Sequence, residues 1–118
     1  MRILIAEDER DQREALTDFL ASMGNSVFAV EDGDAAAREL ESGNYDLAIM
    51  DVRLRGRDGL SVLKELRRRK SKTPVILMSA FITDADFRKH SDHGASASLS
   101  KPYGMDELLA TVTKAVRA

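Results

Sequence analysis

Five short apolar runs punctuate the chain: residues 3–6 (Ile-Leu-Ile-Ala), 27–30 (Val-Phe-Ala-Val), 47–50 (Leu-Ala-Ile-Met), 75–78 (Val-Ile-Leu-Met) and, weakest, 95–99 (Ala-Ser-Ala-Ser-Leu). Each is about the length of a β-strand. Three are apolar on both faces, the pattern of strands covered from both sides in a parallel sheet. The longer segments between them carry apolar residues at helical spacing. Leu16, Phe19, Leu20 and Met23 fall at i, i+3, i+4 and i+7; so do Met105, Leu108, Leu109 and Val112, with Val116 extending the stripe. One buried face is predicted for each of these helices. Ala36, Ala37 and Leu40 mark a second helix, and Val62, Leu63 and Leu66 a third. The fourth, around residues 84–93, has Phe87 as its only large apolar residue and is predicted to be short or frayed. Gly24, Gly43 and Gly94 stand where three helices should stop, suited to the left-handed C′ position. Asp58 and Thr83 are placed to cap the third and fourth helices. Five β-α units predict an α/β fold: a five-stranded parallel sheet in order 2-1-3-4-5, five helices on its two faces, and right-handed crossovers.

Composition narrows the picture. The 118 residues fit one domain over residues 1–118. Leu, Ile, Val and Phe make up about a quarter of the chain, enough for a true core. The absence of Cys excludes a disulfide framework, a Cys-based zinc site and a thiol nucleophile. The N-terminus meets acid at Glu7-Asp8, too early for a signal peptide, and no stretch approaches the ~18 apolar residues of a membrane span. The expected compartment is the cytoplasm, with no membrane partner. With 18 Lys and Arg against 20 Asp and Glu, the net charge of −2 argues against direct nucleic-acid binding by this segment.

The chemistry sits at the ends of the apolar runs. The first run is followed by Glu7-Asp8, the third by Asp51, the fourth by Ser79 and the fifth by Lys101-Pro102. In a parallel sheet these positions share the C-terminal edge, where open α/β folds bind ligands at the reversal of strand order. Glu7 and Asp8 should then face Asp51 across the crevice. Three clustered carboxylates repel one another, so a proton or a cation must join them. Oxygen donors alone, with no Cys and no nearby His, suit a hard cation, and Mg²⁺ is the natural choice. A lysine and a hydroxyl on the far side can hold a dianion, which is the arrangement of phosphoryl transfer. Asp51, at the end of the most buried run, is the candidate nucleophile. Singly, each of these residues reads as a helix cap or a solvated loop residue. Their occurrence in order, each at the end of its own strand, is what carries the argument.

The sequence resembles the response-regulator receiver domain of two-component signalling, the fold of the chemotaxis response regulator. The resemblance runs end to end through residues 3–9 (Ile-Leu-Ile-Ala-Glu-Asp-Glu), 46–51 (Asp-Leu-Ala-Ile-Met-Asp), Asp58-Gly59, 74–80 (Pro-Val-Ile-Leu-Met-Ser-Ala) and 100–103 (Ser-Lys-Pro-Tyr). It implies that Asp51 accepts phosphate from a histidine kinase or phosphotransfer protein. It further implies that Asp8 and Asp51 bind Mg²⁺ directly, Glu7 through water and Arg53 through its backbone carbonyl. Lys101 would pair with the phosphoryl oxygens, the Ser79 hydroxyl would move to them, and the Lys101-Pro102 peptide bond would be cis. The implied protein is not a turnover enzyme but catalyses its own phosphorylation and dephosphorylation, switching the surface of its fourth helix, fifth strand and fifth helix. It would act on a downstream protein or an attached output domain, as a monomer or a phosphorylation-dependent dimer. Two alternatives stay open: a receiver module of a longer regulator with a DNA-binding or enzymatic output domain, and a phosphate-independent interaction domain of the same fold.

Four departures from the family pattern bear on this. Glu7 replaces the commoner Asp. Arg55 stands where proline is frequent, so the loop after Asp51 loses a rigid element. Arg53 could lean over the phosphate or pair with Glu9. Ser98 occupies the place of the switch aromatic, three residues before the lysine, with Phe81 as a possible substitute. Elsewhere, the basic run over residues 64–72 reads as a solvated helix end, and His90 and His93 as solvent-facing residues.

Overall fold

The computed structural model describes residues 1–80 and 82–117. Five strands and five helices alternate: β1 (Arg2–Ala6), α1 (Arg10–Ser22), β2 (Ser26–Val30), α2 (Gly33–Ser42), β3 (Leu47–Asp51), α3 (Gly59–Arg68), β4 (Val75–Ala80), α4 (Asp84–Asp92), β5 (Ala97–Lys101) and α5 (Met105–Arg117). All four strand pairings are parallel and the order is β2-β1-β3-β4-β5, as predicted. Period-two alternation divides the strand side chains between two cores. Ile3, Ile5, Leu47, Ile49, Ile76, Met78 and Leu99 pack with α1 and α5 through Leu16, Leu20, Leu108 and Val112. Leu4, Ala6, Ala48, Met50, Val75 and Leu77 pack with α2 and α3 through Ala36, Leu40, Val62, Leu63 and Leu66.

Several expectations need correction. β5 begins two residues later than its apolar run, because Ala95 and Ser96 complete the turn out of α4; the Ala95 N–H donates to the His90 carbonyl. That shift makes Lys101 the last residue of the strand. Met23, Met105 and Val116 are exposed, and α5 buries Leu108, Val112 and Ala115 instead. Periodicity marks a stripe but not its ends, and the exposed residues are those at the ends of both stripes. Gly24 and Gly94 take positive φ at their helix ends, whereas Gly43 has φ −102°. Asp58 and Thr83 cap their helices as expected; Thr83 and Asp86 form a reciprocal capping box.

The basic run is not uniformly solvated. The Arg67 guanidinium is half-buried and donates to the carbonyls of Gly94, Ser71 and Thr73 at 3.1, 2.8 and 2.8 Å, tying the end of α3 to the turn before β5. His90 is also not solvent-facing: it is 5 % exposed and is the only buried residue of α4, while Phe87 on the same helix is exposed. Phe81 lies outside the described residues.

Candidate functional site

Each site residue reaches the rim because a strand ends beneath it. β1 stops at Ala6 and is followed by Glu7-Asp8, β3 ends in Asp51, and β5 ends in Lys101. Parallel strands bring these ends to one edge. One carboxylate oxygen from each of Glu7, Asp8 and Asp51 lies within 4.8 Å of the others. The Lys101 ammonium donates to Glu7 Oε1 at 2.6 Å and to Asp51 Oδ2 at 2.7 Å. Lys101 therefore reaches across the crevice to both acids rather than standing on its far side. Ser79 lies on the same edge, but its hydroxyl donates to the Ala80 carbonyl at 3.3 Å rather than to Asp51. The Lys101-Pro102 bond is cis, as the resemblance implied.

The segment after Asp51 is held despite its missing proline. Arg55 accepts the Gly33 N–H at 3.0 Å within a bridge to Asp32, and the Gly59 N–H donates to the Val52 carbonyl at 2.8 Å. Arg53 follows Asp51 by two residues, and its exposed side chain lines a cavity shared with Ser79. Glu9 does not reach for Arg53: its carboxylate caps α1, accepting the N–H groups of Asp11 and Gln12.

One contributor was not singled out from sequence. Gln12, in the first turn of α1, accepts from the Lys101 ammonium through Oε1 at 2.7 Å. Nothing in the spacing separates it from its polar neighbours; only the direction in which α1 leaves the rim brings it over the lysine.

The electrostatics follow from crowding. Glu7 is 2 % exposed and Asp51 7 %. Burial, and then the neighbouring Glu7 carboxylate, push the Asp51 pKa up to about 7 against the pull of Lys101. Burial works to raise Glu7 too, but its hydrogen bonds with Asp51 and Lys101 outweigh burial and leave it below its ordinary value. Lys101 is lowered by burial and raised by both acids, which prevail. Three carboxylates against one ammonium leave an excess of negative charge that a hard divalent cation would discharge, and oxygen-only donors suit such an ion. The residues present fit a metal of that class.

A pH dependence follows. A carboxyl whose folded-state pKa is raised stabilises the fold fully below its unfolded value and loses that contribution as pH climbs through the folded value. In metal-free solution the Asp51 contribution should therefore decline between its ordinary value near 3.8 and about 7. The loss is on the order of a few kcal/mol. Thermal midpoints in chelator should fall less steeply across this window in Asp51→Asn than in the wild type; parallel slopes would contradict the assignment.

The response regulator receiver domain family model matches residues 3–113. The transcriptional regulatory protein DltR of Streptococcus agalactiae is 40 % identical over 112 residues, covering 95 % of this chain and 50 % of DltR. TctD of Salmonella typhimurium is 39 % identical over 117 residues, covering 99 % and 52 %. The chain spans about half the length of these relatives. Among solved structures, the Francisella response regulator 1452 receiver domain superposes with a TM-score of 0.92 at 27 % identity, covering 98 % of this chain and 97 % of that one. The receiver domain of a sensor histidine kinase from Pseudomonas aeruginosa PAO1, with a magnesium ion coordinated in its active site cleft, superposes at 0.88 with 29 % identity, covering 99 % and 98 %. A match that leaves out only a few terminal residues, on a fold shared this closely, means that the chain belongs to the response regulator receiver domain family of two-component signalling.

Proposed function

We propose that Asp51 is the phosphoacceptor of this receiver domain and that residues 1–118 form that single domain. The observation that carries the reading is the meeting of Glu7, Asp8 and Asp51 within 4.8 Å, with the Lys101 ammonium 2.7 Å from Asp51, from three separate strand ends. An Asp51 carboxylate oxygen attacks the phosphorus of a phosphohistidine on a histidine kinase or phosphotransfer protein. The phosphorus–nitrogen bond breaks, the ring, already protonated on its other nitrogen, leaves as neutral imidazole with the bonding pair, and an acyl phosphate remains on Asp51. Asp8 and Asp51, the backbone carbonyl of Arg53 and, through water, Glu7 would hold Mg²⁺. When bound, the ion neutralises charge on the incoming phosphoryl oxygens. Lys101 turns its ammonium from Asp51 to those oxygens, and the Ser79 hydroxyl donates to them. The domain turns over no separate substrate.

The output follows from a population shift: phosphate favours one state through its contacts with Ser79 and Lys101, and α4, β5 and α5 present the altered surface. The relatives, about twice as long, are transcriptional regulators. This favours an output through a DNA-binding domain, with DNA contact lying outside these near-neutral residues. No helix among the described residues is long and apolar enough to cross a membrane, in keeping with cytoplasmic action.

The test is labelling by acetyl phosphate followed by intact mass. With Mg²⁺ the protein should gain one phosphoryl group, acetate leaving as the phosphorus–oxygen bond breaks; with chelator it should gain none. No gain with Mg²⁺, or an equal gain without it, contradicts the reading.

A further inference from the structure

The helix expected to move is attached in an unusual way. α4 contributes no side chain to either apolar core. Its single buried residue is a histidine, and its one large apolar side chain, Phe87, is 44 % exposed. The surface beneath explains this. Alternation along β5 puts Ser98 and Ser100 on one face and Ala97 and Leu99 on the other, where Leu99 joins the α5 core. Register pairs Ser98 with Leu77 and Ser100 with Ser79, so the serine face of β5 continues onto Ser79 of β4. A helix on a serine-lined surface gains little from apolar contact. His90 supplies a polar one: Nδ1 lies 2.8 Å from Ser98 Oγ, a hydrogen bond whichever of the two donates. Burial holds the His90 pKa below its ordinary value, so the ring is neutral at pH 7.

His90 also faces the residues that follow Asp51. It lines a cavity of about 380 Å³ together with Ser79, Val52, Arg53 and Lys89. The ring thus has Ser98 of β5 on one side and the cavity that Ser79 also lines on the other.

We propose that the His90–Ser98 hydrogen bond is a latch holding α4 on β5 in the resting domain, and that phosphorylation opens it by drawing Ser79 out of the cavity wall it shares with His90. The movable ring then belongs to α4 itself, so its displacement carries the helix with it. A single hydrogen bond has a net strength small enough for phosphate contacts to reverse. The opening half of this inference rests on Asp51 as the phosphoacceptor; the latch itself does not.

Amide hydrogen exchange of residues 84–92, read by mass, tests both halves. Without phosphodonor, His90→Ala and Ser98→Ala should each speed exchange in α4 roughly fivefold, as loss of one buried hydrogen bond implies. The double variant should go no faster than either single one. Ser98→Thr, which keeps the hydroxyl, should exchange at the wild-type rate. With acetyl phosphate and Mg²⁺, the wild type should approach the rate of the Ala variants, and the Ala variants should show no further rise. Wild-type exchange in both single variants, or multiplied effects in the double, overturns the latch. A full phosphate-dependent rise in Ser98→Ala overturns its role in switching. Failure of the phosphoacceptor reading shows separately, as a wild type that gains no phosphoryl mass; it removes the opening half and leaves the resting comparison to decide the latch.

Discussion

Lys101→Ala is expected to weaken the fold, tighten metal binding and slow phosphate uptake together. The ammonium is the shared partner of two nearly buried acids, 2.6 Å from Glu7 and 2.7 Å from Asp51. Removing one side of a buried ion pair strands the other, at about 3 kcal/mol or more. In chelator near pH 8, where Asp51 is ionised, the variant should lose stability by about that amount. Saturating Mg²⁺ should restore most of it, because the ion takes over the neutralising charge. For the same reason Mg²⁺ should bind roughly tenfold more tightly, with a competing positive charge gone from the crevice. Phosphate uptake from acetyl phosphate should nevertheless slow by roughly tenfold or more, since the group that steadies the phosphoryl oxygens is missing. Titration calorimetry, thermal denaturation and intact mass read the three effects. Unchanged metal affinity with unchanged uptake would show that Lys101 is not part of the site.

Gly59→Ala is expected to be the most damaging small substitution near the site. Gly59 opens α3, is buried, and its N–H donates to the Val52 carbonyl at 2.8 Å. A Cβ there would run into the carbonyl oxygen of Asp51 and lie 3.3 Å from the Val52 Cα. These are backbone atoms of β3 and the residue after it, and they cannot rotate aside. Either α3 separates from the sheet or Asp51 moves. Overpacking of this kind costs about 2–3 kcal/mol. The thermal midpoint should fall by roughly 10 °C or more. Gly24 provides the comparison. Its φ of +90° also disfavours alanine, but a Cβ there meets nothing within 4 Å, so Gly24→Ala should cost only about 1 kcal/mol. Gly59→Ala should also lose phosphate uptake out of proportion to its stability, because its clash falls on the phosphoacceptor's own backbone. Equal effects of the two substitutions would contradict this account.

The parts of the molecule legible in its sequence are those set by alternation and by strand ends. An acid directly after an apolar run has one place to go in a parallel sheet, which is why Glu7, Asp8, Asp51 and Lys101 could be assembled before any coordinates. What could not be read depends on three-dimensional reach. Gln12 joins Lys101 only because α1 leaves the rim at a particular angle and the lysine side chain is long. The position of the Lys101 ammonium, in contact with both acids, is set by a balance of charge and burial that spacing does not encode. His90 looked like a surface residue because the helix carrying it is polar; it is buried with its ring hydrogen-bonded to Ser98, eight residues away on the neighbouring strand. The start of β5 was misplaced because Ala95 and Ser96 fit a strand pattern and a helix-ending turn equally well.

The most direct test of the central claim is to locate the phosphoryl group. The protein is treated with acetyl phosphate and Mg²⁺, the product is reduced with borohydride, which converts an acyl phosphate to an alcohol, and the modified residue is found by tandem mass spectrometry. Modification at Asp51 alone, absent from Asp51→Asn, is the predicted result. Modification at Ser79, at His90 or at another carboxylate, or an undiminished phosphoryl gain in Asp51→Asn, would contradict it.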